Sequence, residues 1–140
     1  AWTTLHIPHD KPLYVMGIGT PAYMLSAIEH GVDMFDCVLP TRLARHGVAM
    51  TTYGNLTLKK ECFEYDHAPL DENCSCRVCR SHSRAYLRHL FRTGEILSAM
   101  LLSYHNLYFL NSLMQRAREA INNNCFAAFK REVLSAQNRE

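Results

Sequence analysis

Three cysteines fall within six residues, Cys74-Ser75-Cys76-Arg77-Val78-Cys79. Thiols two or three positions apart close a disulfide ring poorly, because the bond demands a particular Cβ separation and dihedral, whereas side chains converging from one tight turn suit a tetrahedral zinc ion. The cluster therefore predicts a metal site with three sulfur ligands and one further donor. Cys62, His67, His82, His89, His105 and Cys125 are the candidates. A structural site usually draws its last ligand from a separate element, which counts against His82 and favours a residue such as His105 on a helix packed against the loop, with the others still open.

A second set of residues with chemical potential is Asp33-Met34-Phe35-Asp36-Cys37-Val38-Leu39-Pro40-Thr41-Arg42. An acid inside a buried strand is costly unless it is hydrogen-bonded or functional. The strand period of two sends Asp33 and Asp36 to opposite faces, so they are not a paired-carboxylate site. Asp36 lies nearer the C-terminal end of the strand, the edge where α/β folds place catalytic groups. From pattern alone, catalysis and a structural hydrogen bond account for it equally well.

The elements that must position these residues follow from the apolar pattern. Leu13-Tyr14-Val15-Met16 reads as a short strand stopped by Gly17-Ile18-Gly19. Thr20 and Pro21 supply an N-cap and a first-turn proline, and Ala22, Leu25 and Ile28 recur at helical spacing up to Gly31. Val32 to Leu39 reads as a second strand, completing a βαβ unit with parallel strands. Val48–Thr51 and Leu56–Leu58 around a Tyr53-Gly54-Asn55 turn predict an antiparallel hairpin. Beyond the cysteines the chain reads as helical: Ser83 to Arg92, a break at Thr93-Gly94, a long helix to about Asn123, and a weaker one from Phe126 to Gln137. Tyr104, Leu107, Leu110, Met114, Ala117 and Ile121 form a stripe on the long helix that is expected to face the core.

With 140 residues, 48% of them hydrophobic, the chain has the length and apolar content of one ordinary domain. A net charge of +2 excludes a global basic field, so contact with nucleic acid would have to be local. Arg77, Arg80, Arg84, Arg88 and Arg92 are spaced to share a helical ridge, expected to be a solvated face. No secretory signal and no bilayer-length apolar run is present, so free thiols in a reducing cytoplasmic setting, with no membrane partner, are expected. Two parallel strands do not make a covered sheet, and the chain opens Ala1-Trp2 rather than with methionine. The expectation is a piece of a larger α/β protein, or a chain whose sheet is completed by another.

The segments Tyr14-Val15-Met16-Gly17-Ile18-Gly19, Val32 through Arg42, Pro69-Leu70-Asp71-Glu72-Asn73-Cys74-Ser75-Cys76, Ser83-Arg84-Ala85-Tyr86-Leu87 and His105-Asn106-Leu107 closely resemble the C-terminal part of the bacterial tRNA-guanine transglycosylase (queuine tRNA-ribosyltransferase) family, in its order and spacing. The resemblance implies an α/β fold that is the C-terminal part of a (β/α)8 TIM barrel, its last two strands and closing helices, with an inserted zinc subdomain. The implied division is 1–47 for the last barrel portion, 48–105 for the zinc subdomain and 106–140 for the closing helices. The implied activity is exchange of the wobble guanine of tRNAs with G-U-N anticodons for a 7-deazaguanine, in bacteria 7-aminomethyl-7-deazaguanine, on the route to queuosine.

By the same resemblance Asp36 is the nucleophile that forms a covalent ribosyl-enzyme, Met16 packs on the purine face, and Gly17 lets the base approach. Gly17, Ile18, Gly19, Thr20, Pro21, Ala22 and Tyr23 correspond to an RNA-contacting loop. Thr41, Arg42, Leu43, Ala44 and Arg45 correspond to the segment around the wobble base, with Leu43 standing where a small or polar residue is expected. The implied metal set is Cys74, Cys76, Cys79 and His105, holding one structural zinc; the other histidines, His6 and His9 among them, are expected at the surface. The implied partners are tRNA, guanine or a 7-deazaguanine, and a second copy of the full-length protein. The family's general acid/base aspartate and most of its purine-reading side chains lie in earlier strands absent from these residues, so the 140-residue chain alone is expected not to exchange guanine. A non-catalytic zinc-stabilised RNA-binding or subunit-interaction module is the alternative, and an archaeosine-type enzyme is disfavoured by the lack of an appended RNA-binding domain.

Overall fold

A computed structural model of the chain describes residues 6–8 and 10–137, in two compact units, 1–39 and 40–140. His9, of the His6 and His9 pair, lies outside the described residues, and His6 is exposed. Among the described residues the architecture is mixed α/β and rich in helix, with two small sheets.

The first unit holds β1 (Tyr14–Met16), α1 (Pro21–Glu29) and β2 (Met34–Asp36). The strands are parallel neighbours in the register Tyr14–Met34, Val15–Phe35 and Met16–Asp36. Thr20 caps α1 through Oγ1, which accepts from the Tyr23 amide at 3.4 Å, and Pro21 sits in the first turn. Leu25 is fully buried as expected, but Pro21 and Met24 accompany it and Ala22 is exposed. Asp33 fills a structural role: its carboxylate accepts the Leu13 amide at 2.8 Å while its own amide donates to Leu13 O at 2.9 Å, closing the entry end of the sheet.

The expected strand through Leu39 is cut short, because Leu39 opens a helix, α2 (Leu39–Arg45). Its first amide donates to Cys37 Sγ at 3.3 Å, and Pro40, which has no N–H to leave unpaired, occupies the first turn.

In the second unit β3 (Val48–Thr51) and β4 (Gly54–Thr57) form the antiparallel hairpin, with Thr52 and Tyr53 as its turn rather than the expected Tyr53-Gly54-Asn55, since Gly54 and Asn55 already pair with Thr51 and Met50. Buried Asp71 ties the tip to the cysteine loop, accepting from the Thr52 amide and hydroxyl at 2.6 and 2.7 Å and from the Asn73 amide at 2.9 Å. Gly47, joining α2 to β3, has φ of 74°, and a Cβ there would lie 2.8 Å from the Phe91 ring, so no other residue fits without displacing that ring.

Helices α3 (Arg77–Ser81), α4 (Arg84–Arg92), α5 (Ile96–Asn122) and α6 (Phe126–Gln137) complete the unit. The core is built from Ala44, Ala49, Leu58, Leu70, Cys76, Val78, Leu87 and Leu102. Asn124, at φ of 53°, makes the turn into α6, and Arg116 joins the last two helices by pairing with Glu132 at 3.5 Å and lying over Phe129.

Two expectations are corrected here. On α5 the buried residues are Ser98, Leu102, His105, Asn106, Leu113, Ala117 and Ala120, while Tyr104, Leu107 and Ile121 are exposed. Of the expected stripe Ala117 is buried and Leu110 and Met114 are half-buried, so the period is right, but around His105 the inward face is centred on two polar residues that an apolar count passes over. The arginine ridge is also broken, since His82 and Ser83 are extended between α3 and α4. Arg84 is half-buried: it pairs with Asp66 at 3.0 Å, donates to Leu70 O and covers the Phe63 ring. Arg88 donates to Lys60 O at 3.1 Å.

Burial alone would raise the Asp66 carboxyl, but the Ala68 amide at 2.8 Å and the Arg84 guanidinium outweigh it and hold the pKa below the usual carboxylate range. A depressed folded pKa stabilises fully above the unfolded value of about 4 and is lost as pH falls through the folded one. Asp66→Asn is therefore expected to cost about 1–3 kcal/mol at pH 7 and to flatten the acid limb of the stability curve below pH 4. Urea unfolding from pH 2 to 7 measures both effects.

Candidate metal centre and nucleophile strand

The cysteine loop is shaped by its own backbone before any metal is considered. The Cys74 amide donates to Asp71 O at 3.1 Å, and Cys76 acts as the N-cap of α3, its Sγ accepting from the Cys79 amide at 3.4 Å. Cys76 and Cys79 thereby lie on adjacent turns with their sulfurs on one side. Ser75 and Tyr108 share a hydrogen bond of 2.8 Å that fastens the loop to α5.

From α5, His105 presents Nδ1 to all three sulfurs, at 3.8 Å from Cys74, 3.4 Å from Cys76 and 3.3 Å from Cys79. Its Nε2 lies 2.9 Å from Met50 O, an acceptor only, so Nε2 carries a proton and Nδ1 is the nitrogen left to face the sulfurs and a metal. The four ligand atoms lie within 4.8 Å of one another, and Cys76 and His105 are buried. Ordinary zinc–sulfur and zinc–nitrogen lengths place tetrahedral S and N neighbours about 3.6 Å apart, in the middle of the observed range. The protonation chemistry agrees. The Cys76 thiol is held far below the usual range by hydrogen bonds from Cys74 and Cys79, while Cys79 is pushed far above it by the same sharing. Burial would lower the His105 ring, yet the Cys74 and Cys76 sulfurs raise it to about 9. Four donors crowding for protons in a closed space is what a divalent cation resolves.

These residues form a structural zinc site, with every coordination position taken by protein and none left for a reacting water. The other sequence candidates lie apart from it. Cys62, His67, His89 and Cys125 are exposed, and His82 stacks on Tyr86.

The second site lies on the first unit's sheet. Burial alternates identically on both strands, so Tyr14, Met16, Met34 and Asp36 share one exposed face. Met16 is 77% exposed and is the register partner of Asp36. Asp36 Oδ1 accepts from the Tyr14 hydroxyl at 2.8 Å and the Gly17 amide at 3.2 Å. With both donors on Oδ1, Oδ2 is the oxygen left to attack an electrophile. Tyr14 was not singled out by sequence; its signal was the alternation that puts residues 14, 16 and 36 on one face once the strands are paired. The hydrogen bond to the Asp36 carboxylate, followed by burial and charge, raises the Tyr14 pKa, so the phenol stays a donor at any working pH.

Of the remaining expected contacts, Gly17, Ala22 and Tyr23 are exposed, Ile18 and Thr20 half-buried, and Gly19 and Pro21 buried. Gly19 is required by Cys37, whose Cβ and Sγ would lie 2.5 and 2.7 Å from an added Cβ. On α2, Arg42 and Arg45 are exposed, Thr41 and Leu43 half-buried, and Ala44 sits in the core.

Residues 1–139 match the family model described as Queuine tRNA-ribosyltransferase. The chain is 54% identical over 134 residues to a queuine tRNA-ribosyltransferase of Treponema denticola, covering 96% of the chain and 35% of that protein. It is 52% identical over 131 residues to one of Clostridium acetobutylicum, covering 94% of the chain and 35% of the relative. A third, from Caldanaerobacter subterraneus subsp. tengcongensis, is 53% identical over 133 residues, covering 95% and 36%. The chain thus spans about a third of the length of these relatives.

Native mass spectrometry of freshly purified protein is expected to show one zinc per chain, and metal-free protein would contradict the site. Cys76→Ser should abolish that stoichiometry. Chelation should remove site energy on the order of 10 kcal/mol and expose residues 60–105 first to hydrogen exchange. Because the sulfurs bind as thiolates, zinc affinity should fall as pH falls.

Proposed function

The chain belongs to the queuine tRNA-ribosyltransferase family, and from that premise we propose that it is the C-terminal portion of a tRNA-guanine transglycosylase. Its substrates would be tRNAs with G-U-N anticodons, and the wobble guanine would be exchanged for a 7-deazaguanine, 7-aminomethyl-7-deazaguanine in a bacterial setting. Within this reading the first sheet is the end of a (β/α)8 barrel, 1–47 is its last portion, 48–105 the zinc subdomain and 106–140 the closing helices. A cytoplasmic setting and a homodimer of the full-length protein belong to the same reading. The free thiols support the first, and the exposed apolar side chains of Met100, Tyr104 and Leu107 supply surface for barrel or partner to bury. Among the described residues no helix is long and apolar enough to cross a membrane.

The observation that carries the proposal is the Asp36 carboxylate, exposed, with one oxygen held by Tyr14 and Gly17 and Met16 opposite in register. Oδ2 would attack ribose C1′ as the bond from C1′ to the guanine nitrogen breaks, through an oxocarbenium-like transition state, leaving an ester between Asp36 and the ribose. The departing guanine takes a proton from the acid/base group that the resemblance places in the earlier strands, outside these residues. The incoming base then attacks C1′ and gives its N–H proton back to that group, the ester breaks, and Asp36 is regenerated as carboxylate. Two inversions give net retention. Met16 offers a polarisable thioether to the face of the base, which must be turned out of its stack to reach Asp36. The exposed Arg42 and Arg45 guanidinium forks suit phosphates and flanking base edges.

In the protein at its full encoded length, labelled guanine is expected to enter unmodified tRNA, and a denaturation-resistant tRNA adduct should be trapped. Asp36→Asn should abolish both. An adduct that survives Asp36→Asn would overturn the assignment, and wild-type protein that binds tRNA without exchange or adduct would favour the non-catalytic module. Tyr14→Phe should leave tRNA affinity intact and slow adduct formation roughly ten- to a hundredfold, as expected for a misaligned nucleophile.

A further inference from the structure

The residue after the zinc ligand His105 is as buried as the ligand itself: neither side chain has any exposed surface. A buried amide is costly unless its groups are paired, and Asn106 makes three hydrogen bonds, all to backbone. Oδ1 accepts from the Met50 amide at 2.8 Å, and Nδ2 donates to Pro40 O at 2.9 Å and to Val48 O at 3.1 Å.

Two features make this arrangement more than core satisfaction. Pro40 and Val48 lie on either side of Thr41–Arg45, so one side chain grips the backbone before and after α2's exposed arginines. Met50 is gripped twice, its amide by Asn106 and its carbonyl by His105 Nε2. Between the grips, Ala44 is buried in the core and Gly47 is wedged against Phe91. The segment is thus fixed at both ends and its middle, with Arg42 and Arg45 exposed.

We propose that Asn106 is a positioning residue for RNA recognition, a clamp that holds the 41–45 segment in the pose from which Arg42 and Arg45 meet the tRNA. The proposal rests on the reading of that segment as RNA-contacting. Asn106 touches no substrate; it acts through the two arginines, and its link to the metal centre is the strand residue Met50 that it shares with His105. Because the arginine side chains are long and flexible, their placement depends on where the α2 backbone is anchored.

The test compares Asn106→Asp, which keeps the acceptor for Met50 and loses both donors, with Asn106→Ser, which loses the reach to Pro40 and leaves room for water, and with the double variant Arg42→Ala, Arg45→Ala. All are made in the protein at its full encoded length, with zinc stoichiometry, hydrogen exchange and guanine-exchange kinetics as readouts. Expected for both Asn106 variants are one zinc per chain, faster amide exchange confined to residues 40–50, and KM for tRNA raised about tenfold, with kcat within about twofold of wild type. Adding either Asn106 variant to the arginine double variant should raise KM little further, since the clamp acts through those side chains. Wild-type KM in the Asn106 variants, full additivity with the arginine variant, or loss of zinc from both Asn106 variants would each overturn the clamp. Wild-type KM in the arginine variant would instead overturn the RNA-contact reading beneath it.

Discussion

The second unit is organised by the requirement that no buried polar group go unpaired. His105 and Asn106 sit at the centre of α5's inward face with no exposed surface, where an unmet imidazole or amide would cost several kcal/mol. These demands are met by three parts of the unit. The cysteine loop and α3 meet Nδ1, β3 meets Nε2 and Oδ1 and shares Nδ2, and the first turn of α2 meets Nδ2 through Pro40. Hydrogen bonds are directional where apolar contacts are not, so these partners fix α5's rotation and the height of β3 along it. The apolar core around Leu58, Leu70, Leu87 and Leu102 then fills the space so defined.

That organisation explains which parts of the fold were legible in the sequence. Parallel β1 and β2, the Thr20-Pro21 start of α1, the hairpin and the limits of α4, α5 and α6 all follow local rules of period and capping, and residues 14–36, 48–58 and 84–137 display them openly. The phase of α5 does not follow such a rule, because metal ligation and a buried amide set it. Helices α2 and α3 were hidden for a related reason. Each begins beside a cysteine whose sulfur accepts a backbone amide, Cys37 for Leu39 and Cys76 for Cys79, and cysteine is outside the residue set that usually marks a helix start. The break at His82 and Ser83 is likewise set by chain direction between α3 and α4, which the spacing of the arginines cannot reveal.

The acidic residues of the β2 region show how far period alone can carry a functional reading. Its consequence that Asp33 and Asp36 do different things agrees with their partners: Asp33 takes the Leu13 amide at the sheet's entry end, and Asp36 takes a phenol and an amide on the exposed face. Tyr14 escaped notice because a tyrosine in a short strand ordinarily reads as packing surface. Only the parallel register, with Met16 beside Asp36, brings the phenol two residues upstream within reach of the carboxylate. Two donors on one oxygen orient the Asp36 carboxylate without burying it.

The zinc centre also accounts for the surplus hydrophobicity of α5. A unit this small ordinarily commits its apolar stripes inward, since its core is its main source of stability. Here the inward face carries a metal ligand and an amide clamp, and binding free energy from the metal takes over part of what apolar burial would otherwise supply. Ile96, Met100, Tyr104 and Leu107, at steps of three and four, are thereby left exposed on another face of the same helix. A helix held by coordination on one side can offer an apolar surface on another without losing its own place in the fold, whereas a helix held by that apolar surface alone could not.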